Sequence, residues 1–252
     1  MNPWWGQLAK EYRLGRGGAI GALIALFLYL GIGVYASWRM GNPETFLAFC
    51  AFALMMHVLY MAGYMCVSLI REQRTLHLWL QTPLPAYKLL LAKLLNGWGA
   101  LAFSLFIISA ITLLSGTMVV NLFELDPELT WRDVISTGIL IDIHILLIAL
   151  YIGIGLTFLW AIYLVVSKSL GKVSGNVIGI CLFFFLPWLM SKWEGTGLFH
   201  ALFIWGKVDL NFSDVAYVAF RHVYIGYYFY HFLLALLLLF IASWLIERKV
   251  EV

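Results

Sequence analysis

Residues 17–36, GGAIGALIALFLYLGIGVYA, run for 20 positions without a charged side chain. A bilayer core is crossed by about 20 mostly apolar residues in a helix. Five further stretches have the same character: 46–70, 94–120, 140–166, 173–190 and 228–246, the fifth being the shortest, with Pro187 near its end. The 252 residues are 63% hydrophobic and 12% charged. A soluble domain carries about 25% charged residues. The surface of a water-soluble protein of this size needs more charge than this chain has. A cytosolic globular enzyme, a nucleic-acid module and a disordered chain are thereby excluded. The expectation is an all-α membrane protein of six spans in one domain, 1–252, with both termini on one side.

Orientation follows from lysine and arginine. Lys10, Arg13, Arg16, Arg71, Arg74, Lys88, Lys93, Lys168, Lys172, Arg248 and Lys249 fall on the side that holds the termini. Only Arg39, Arg132, Lys192, Lys207 and Arg221 fall on the other. The acids are biased the opposite way: Glu11, Glu72, Glu247 and Glu251 lie on the first side, and Glu44, Glu124, Asp126, Glu128, Asp133, Glu194, Asp209 and Asp214 on the second. The first side is expected to be the cytoplasm and the chain a multi-pass protein of the plasma membrane. The apolar run of 17–36 exceeds the roughly 7–15 residues of a signal-peptide core, so it is expected to remain as a span. The net charge of +3 does not argue for a polyanionic partner, and no nucleic acid is expected. Cys50, Cys66 and Cys181 all lie in apolar runs and are expected to be small buried hydrophobes.

Ahead of the first span, Trp4, Trp5, Leu8 and Tyr12 recur at helical spacing, with Gln7, Lys10 and Glu11 on the other face. Residues 1–16 therefore read as a short amphipathic helix lying in the membrane interface, its rings at headgroup depth. It is either a simple anchor or a coupling element.

Residues 71–93, REQRTLHLWLQTPLPAYKLLLAK, form the longest connection on the basic side. Leu76, Trp79 and Leu80 share one face of a short helix, which Pro83 and Pro85 end. Projecting from the membrane, such a face needs a protein groove; lying on the surface, it is an interfacial turn. This loop resembles the first cytoplasmic loop of ABC-2-type transporter permeases. There a stretch similar to Glu-x-x-Gly-Thr-(apolar)-Glu-x-Leu-(x)-Thr-Pro, followed some ten residues on by Lys, joins the second and third spans. Glu72, Thr75, Leu76, Leu80, Thr82, Pro83 and Lys93 match that pattern, while Arg74 and His77 stand where Gly and an acid are common. The N-terminal amphipathic segment, the six spans and the long outer segment 191–227 extend the resemblance over the whole length.

The resemblance implies an ABC-2 (type V exporter-like) permease fold. It makes 71–93 the coupling loop, docking on a separate ABC ATPase subunit through Leu76, Trp79 and Leu80, with Glu72, Arg74 and Thr75 as polar contacts. It makes 1–16 the connecting helix. Two ATPases and a second permease chain, same or sister, complete the unit, and ATP and magnesium bind the ATPase. The chain itself has no Gly-x-x-x-x-Gly-Lys-Ser/Thr phosphate cradle; Gly171-Lys172 and Gly206-Lys207 are each followed by Val. The expected role is a non-enzymatic permease subunit that exports an amphipathic cargo, a peptide, antimicrobial or lipid-like compound.

Gly17 and Gly21, and the ladder Gly171, Gly175 and Gly179, are small-residue stripes that let helices approach closely in lipid. They serve packing within the chain or, as the resemblance implies for spans one and five, a dimer seam. Asp142 is the one acid well inside an expected span, so it is either functional by virtue of its cost in lipid or interfacial, if the fourth span begins later. His144, two residues on, does not share its face. In 191–227 the aromatic residues Trp193, Phe199, Phe203, Trp205, Phe212, Tyr217 and Phe220 suggest short helices dipping into the outer leaflet, with Leu198, Phe199, Leu202 and Phe203 at helical spacing. Glu124, Asp126 and Glu128 are either a cation attractant or solvated loop charge. Neither His-Glu-x-x-His nor Gly-x-Ser-x-Gly occurs. His57 and His231 are expected to bond between helices. The rival classes are an ion-driven transporter that depends on Asp142, an intramembrane enzyme, and an assembly or immunity protein that transports nothing.

Overall fold

In hydrocarbon, backbone polar groups have no water to bond, so an apolar chain closes its hydrogen bonds within helices. The computed structural model, which describes residues 3–74, 82–119, 131–209 and 222–250, follows that rule. The elements in chain order are α1 (Pro3–Met40), α2 (Glu44–Met56), a 3₁₀ turn (His57–Leu59), α3 (Tyr60–Gln73), α4 (Ala86–Val119), α5 (Trp131–Leu170), α6 (Lys172–Glu194), α7 (Gly197–Phe203), β1 (Lys207–Asp209), β2 (His222–Tyr224) and α8 (Ile225–Leu245), which ends in a π turn (Ile246–Val250). Six helices are long and apolar enough to cross a membrane: Pro3–Met40, Glu44–Gln73, Ala86–Gly116, Val134–Leu170, Lys172–Glu194 and Ile225–Val250. The chain is an all-α, multi-pass membrane protein.

Three departures from the sequence reading have physical causes. The expected interfacial helix 1–16 is not separate. It forms the first turns of α1, which runs unbroken for 38 residues. No proline interrupts the junction, and the polar residues before it have partners elsewhere in the bundle. The second span is broken at its middle by the 3₁₀ turn at His57. The outer segment holds the expected short helix, α7, but also an antiparallel strand pair with Lys207 opposite Tyr224 and Asp209 opposite His222. Thr196 caps α7, its Oγ1 accepting from the Phe199 amide at 3.2 Å.

Turns are tight where glycine allows positive φ. Gly41, at φ 64°, ends α1, and Gly171, at φ 87°, is the single residue between α5 and α6. Helix α4 lies at the centre, in contact with α1, α2, α3, α5 and α8. Its Leu89, Leu90, Leu94 and Leu101 meet Met61, Met65 and Leu69 of α3, Ala149 and Ala161 of α5, and Ala242 of α8. A second core joins Leu26 and Leu30 of α1 to Cys50 and Ala53 of α2 and to Leu105 and Ile108 of α4. Helix α6 packs chiefly on α5. Its other side, with Val173, Val177, Ile180 and Phe184, is exposed, as lipid contact requires. Of the three cysteines only Cys50 is buried; Cys66 and Cys181 face outward, which corrects the expectation for those two.

One end of the bundle gathers the start of α1, the end of α3, the start of α4 and the end of α8. Glu247 of the π turn accepts a hydrogen bond from the Ala86 amide at 2.7 Å. An acid thereby satisfies an orphan donor at the start of α4. Both ends of the described chain meet here, at the end that carries most of the lysine and arginine.

Candidate functional site

At this basic end lies a buried cluster of charges. Lys93, one residue before the predicted third span, is 1% exposed. Its Nζ donates to Glu11 at 2.9 and 3.0 Å, to Glu72 at 3.0 Å and to Ser68 Oγ at 3.3 Å. Glu11 and Glu72 are themselves 1% and 3% exposed. Their remaining acceptor capacity is also engaged. Gln7 donates to Glu11 at 3.0 Å, and Lys10 to Glu72 at 3.1 Å. The formal charges of Glu11, Glu72, Lys93 and Lys10 cancel. Each is held by charge-assisted bonds, the arrangement that lets ions persist away from water. Beside the cluster, Arg71 donates to the Leu14 carbonyl at 2.9 Å, and Asn96 to the Leu8 carbonyl at 3.4 Å. Three helices are thus tied together, and two of the ties sit at the two ends of the loop between α3 and α4.

This geometry reorders the N-terminal segment. Gln7 and Glu11, read as the solvent-facing side, point into the bundle. Trp5 and Tyr12 point outward, 66% and 64% exposed, with Trp4 and Leu8 half-buried. The outward side carries these rings together with the exposed Lys10, Arg13 and Arg16, and the carboxylate goes where its cation is. Of the predicted docking residues, Thr75, Leu76, Trp79 and Leu80 lie outside the described residues. Arg74 caps α3 and is exposed. Glu72 is turned inward and ties α3 to α1 and α4. A lone lysine at the edge of a span, with two acids at the edges of two others, was the signal for the cluster.

The glycine ladder divides by position. A Cβ on Gly175 clashes with Ser167 Oγ, so this glycine lets α6 lie close against α5 of the same chain. Gly171 serves the turn. Gly17, Gly21 and Gly179 have nothing within 4 Å of a Cβ and face open space.

Farther into the membrane, the Ala53 carbonyl accepts from His57 Nδ1 at 2.7 Å, and Nε2 meets Ser104 Oγ at 2.9 Å. The carbonyl only accepts, so Nδ1 carries the proton, and in the neutral ring Nε2 accepts from the serine. Asp142 accepts from Ser109 Oγ at 2.7 Å and is half-buried against α4. His144 bonds instead to Tyr228 of α8. The two residues therefore have separate partners, as their spacing predicts. At the far end, Glu194 lies 3.7 Å from His231 Nε2 and accepts from Tyr227 at 3.2 Å. Tyr151, Tyr227 and Tyr230 surround that imidazole at 5.2, 4.4 and 5.0 Å between ring centroids. Glu124, Asp126, Glu128, Phe212, Tyr217 and Phe220 lie outside the described residues. Among the described residues no group of three or more His, Cys, Asp and Glu is placed to hold a metal. Compared with families of known proteins, with curated proteins and with solved structures, the chain matches none.

Proposed function

We propose that this chain is the membrane-spanning permease subunit of an ABC-2-type exporter, driven by ATP hydrolysed on a separate subunit. The observation that carries this reading is the tie between the loop's two ends. Glu72 precedes the loop, Lys93 follows it, and both are bonded into one buried cluster with Glu11 of α1. A force on the ridge Leu76, Trp79 and Leu80 is delivered to α1, α3 and α4 together, because separating them exposes or orphans charges. The count of lysine and arginine supports a cytoplasmic position for this end, as an ATPase partner requires. The amphipathic cargo, two ATPases with ATP and magnesium, and a second permease chain complete the proposal. In this mechanism closure of the ATPase pair rotates the membrane halves and alternates access between them.

The test is co-purification with a separately encoded ATPase of the cassette class. The native chain retains the ATPase, and Trp79→Glu loses it. Retention of the complex and of its ATPase activity in that variant would sink the docking assignment. A second reading, an ion-driven transporter, is favoured by one observation: Asp142 faces α4 and bonds Ser109 within the bundle. On that reading Asp142→Asn abolishes transport while assembly is normal.

A further inference from the structure

Between α1 and α3, starting at the charge cluster, runs a slot of about 300 Å³. Its floor is Glu11, Lys93 and Glu72; its walls include Gly18 and Ala22 of α1 and Tyr60 and Gly63 of α3. The slot exists because side chains are missing. A Cβ on Gly18 or on Gly63 meets nothing within 4 Å. From Glu11 to Ala22 the axis of α1 rises about 16 Å. That is close to half of the roughly 30 Å hydrocarbon core. At Ala22 and Tyr60 the slot adjoins a second cavity, of about 360 Å³, that reaches His57 and Ser104.

The mouth is cationic. The carboxylates of the floor are engaged by Lys93, Lys10 and Gln7. Arg71 lines the slot, its guanidinium steadied by the Leu14 carbonyl, and Arg13, Arg16 and Arg74 are exposed at the same ends of α1 and α3. A basic pocket between membrane helices at the headgroup level suits an anionic lipid. We propose that this slot binds one anionic phospholipid, with its phosphate on Arg71 and an acyl chain laid along Gly18 and Gly63. The site is independent of whether the chain works with an ATPase.

The experiment uses the purified full chain, equilibrated with equal amounts of phosphatidylglycerol and phosphatidylcholine. Lipid retained per chain is counted by mass spectrometry of the intact protein. The native chain keeps one phosphatidylglycerol and about tenfold less phosphatidylcholine. Gly18→Leu, which fills the slot, and Arg71→Gln, which removes the headgroup contact, each reduce retained phosphatidylglycerol about tenfold. Gly17→Leu, one residue from the slot and outside its lining, keeps the native amount. Equal retention of the two lipids by the native chain overturns the proposal, as does native occupancy in Gly18→Leu or an equal loss in Gly17→Leu. Should Gly18→Leu not fold, Arg71→Gln and the two-lipid comparison on the native chain decide the matter alone.

Discussion

Replacing Lys93 with Met keeps most of the aliphatic stem and removes the cation that Glu11 and Glu72 share. Both carboxylates lie about 3 Å from the Lys93 ammonium. They therefore stay within about 6 Å of each other when it is gone. At an effective dielectric of about 20, two like charges at that distance repel by about 3 kcal/mol. Removing one partner of a buried pair costs about 3–5 kcal/mol by experience with other proteins, so the two routes agree. For a chain of this size, about 3 kcal/mol lowers Tm by about 10 °C. The assay is thermal unfolding of the purified chain in detergent, comparing Lys93→Met with the triple variant Lys93→Met/Glu11→Gln/Glu72→Gln. The triple variant removes the repulsion and recovers most of the loss, since Lys10, with a side chain 44% exposed, returns to water. A single variant within about 2 °C of native shows that the cluster is solvated. A triple variant no better than the single shows that packing at Lys93, and not charge, sets the stability.

Glu247→Ala removes the acceptor from the Ala86 amide and costs about 1 kcal/mol, as loss of a helix cap does; chemical denaturation measures it, and no change refutes the capping role. Gly175→Leu drives a side chain into Ser167 and Tyr163, separates α6 from α5, and lowers Tm, whereas Gly21→Leu leaves the Tm of the single chain unchanged. Cross-linking of Gly21→Leu in membranes tests the expected dimer seam: reduced cross-linking at unchanged Tm supports it, and native cross-linking removes Gly21 from it. Asp142→Asn still accepts from Ser109 and alters stability by less than about 0.5 kcal/mol; on the exporter reading transport into vesicles persists, and its loss in a normally assembled protein favours the ion-driven rival.

The six spans were legible because hydropathy over 20 residues is a local property, and the bilayer leaves helices as the one economical answer. The helix at Leu198, Phe199, Leu202 and Phe203 was legible from spacing for the same reason. What local pattern did not carry was direction. The rule that polar faces meet water placed Gln7 and Glu11 outward. Their inward position is decided by Lys93, 82 residues from Glu11, which no periodicity reports. At the break, His57 likewise finds its partner, Ser104, on another helix. The continuity of α1 past residue 16 follows from the same cluster, because a helix whose first turns are bonded into the bundle has no reason to bend onto the membrane surface.

The cluster also constrains the order of assembly. Glu11 leaves the ribosome well before its counter-ion. At about 5–20 residues per second, the intervening 82 positions take about 4–16 s to synthesise. Glu72 emerges 21 positions before Lys93, so for about the last 1–4 s of that interval the first hairpin carries both acids without the lysine that joins them. Arrival of the third span closes the charge balance, and nascent chains truncated before Lys93 are expected to be cut by protease more readily than chains extended past it.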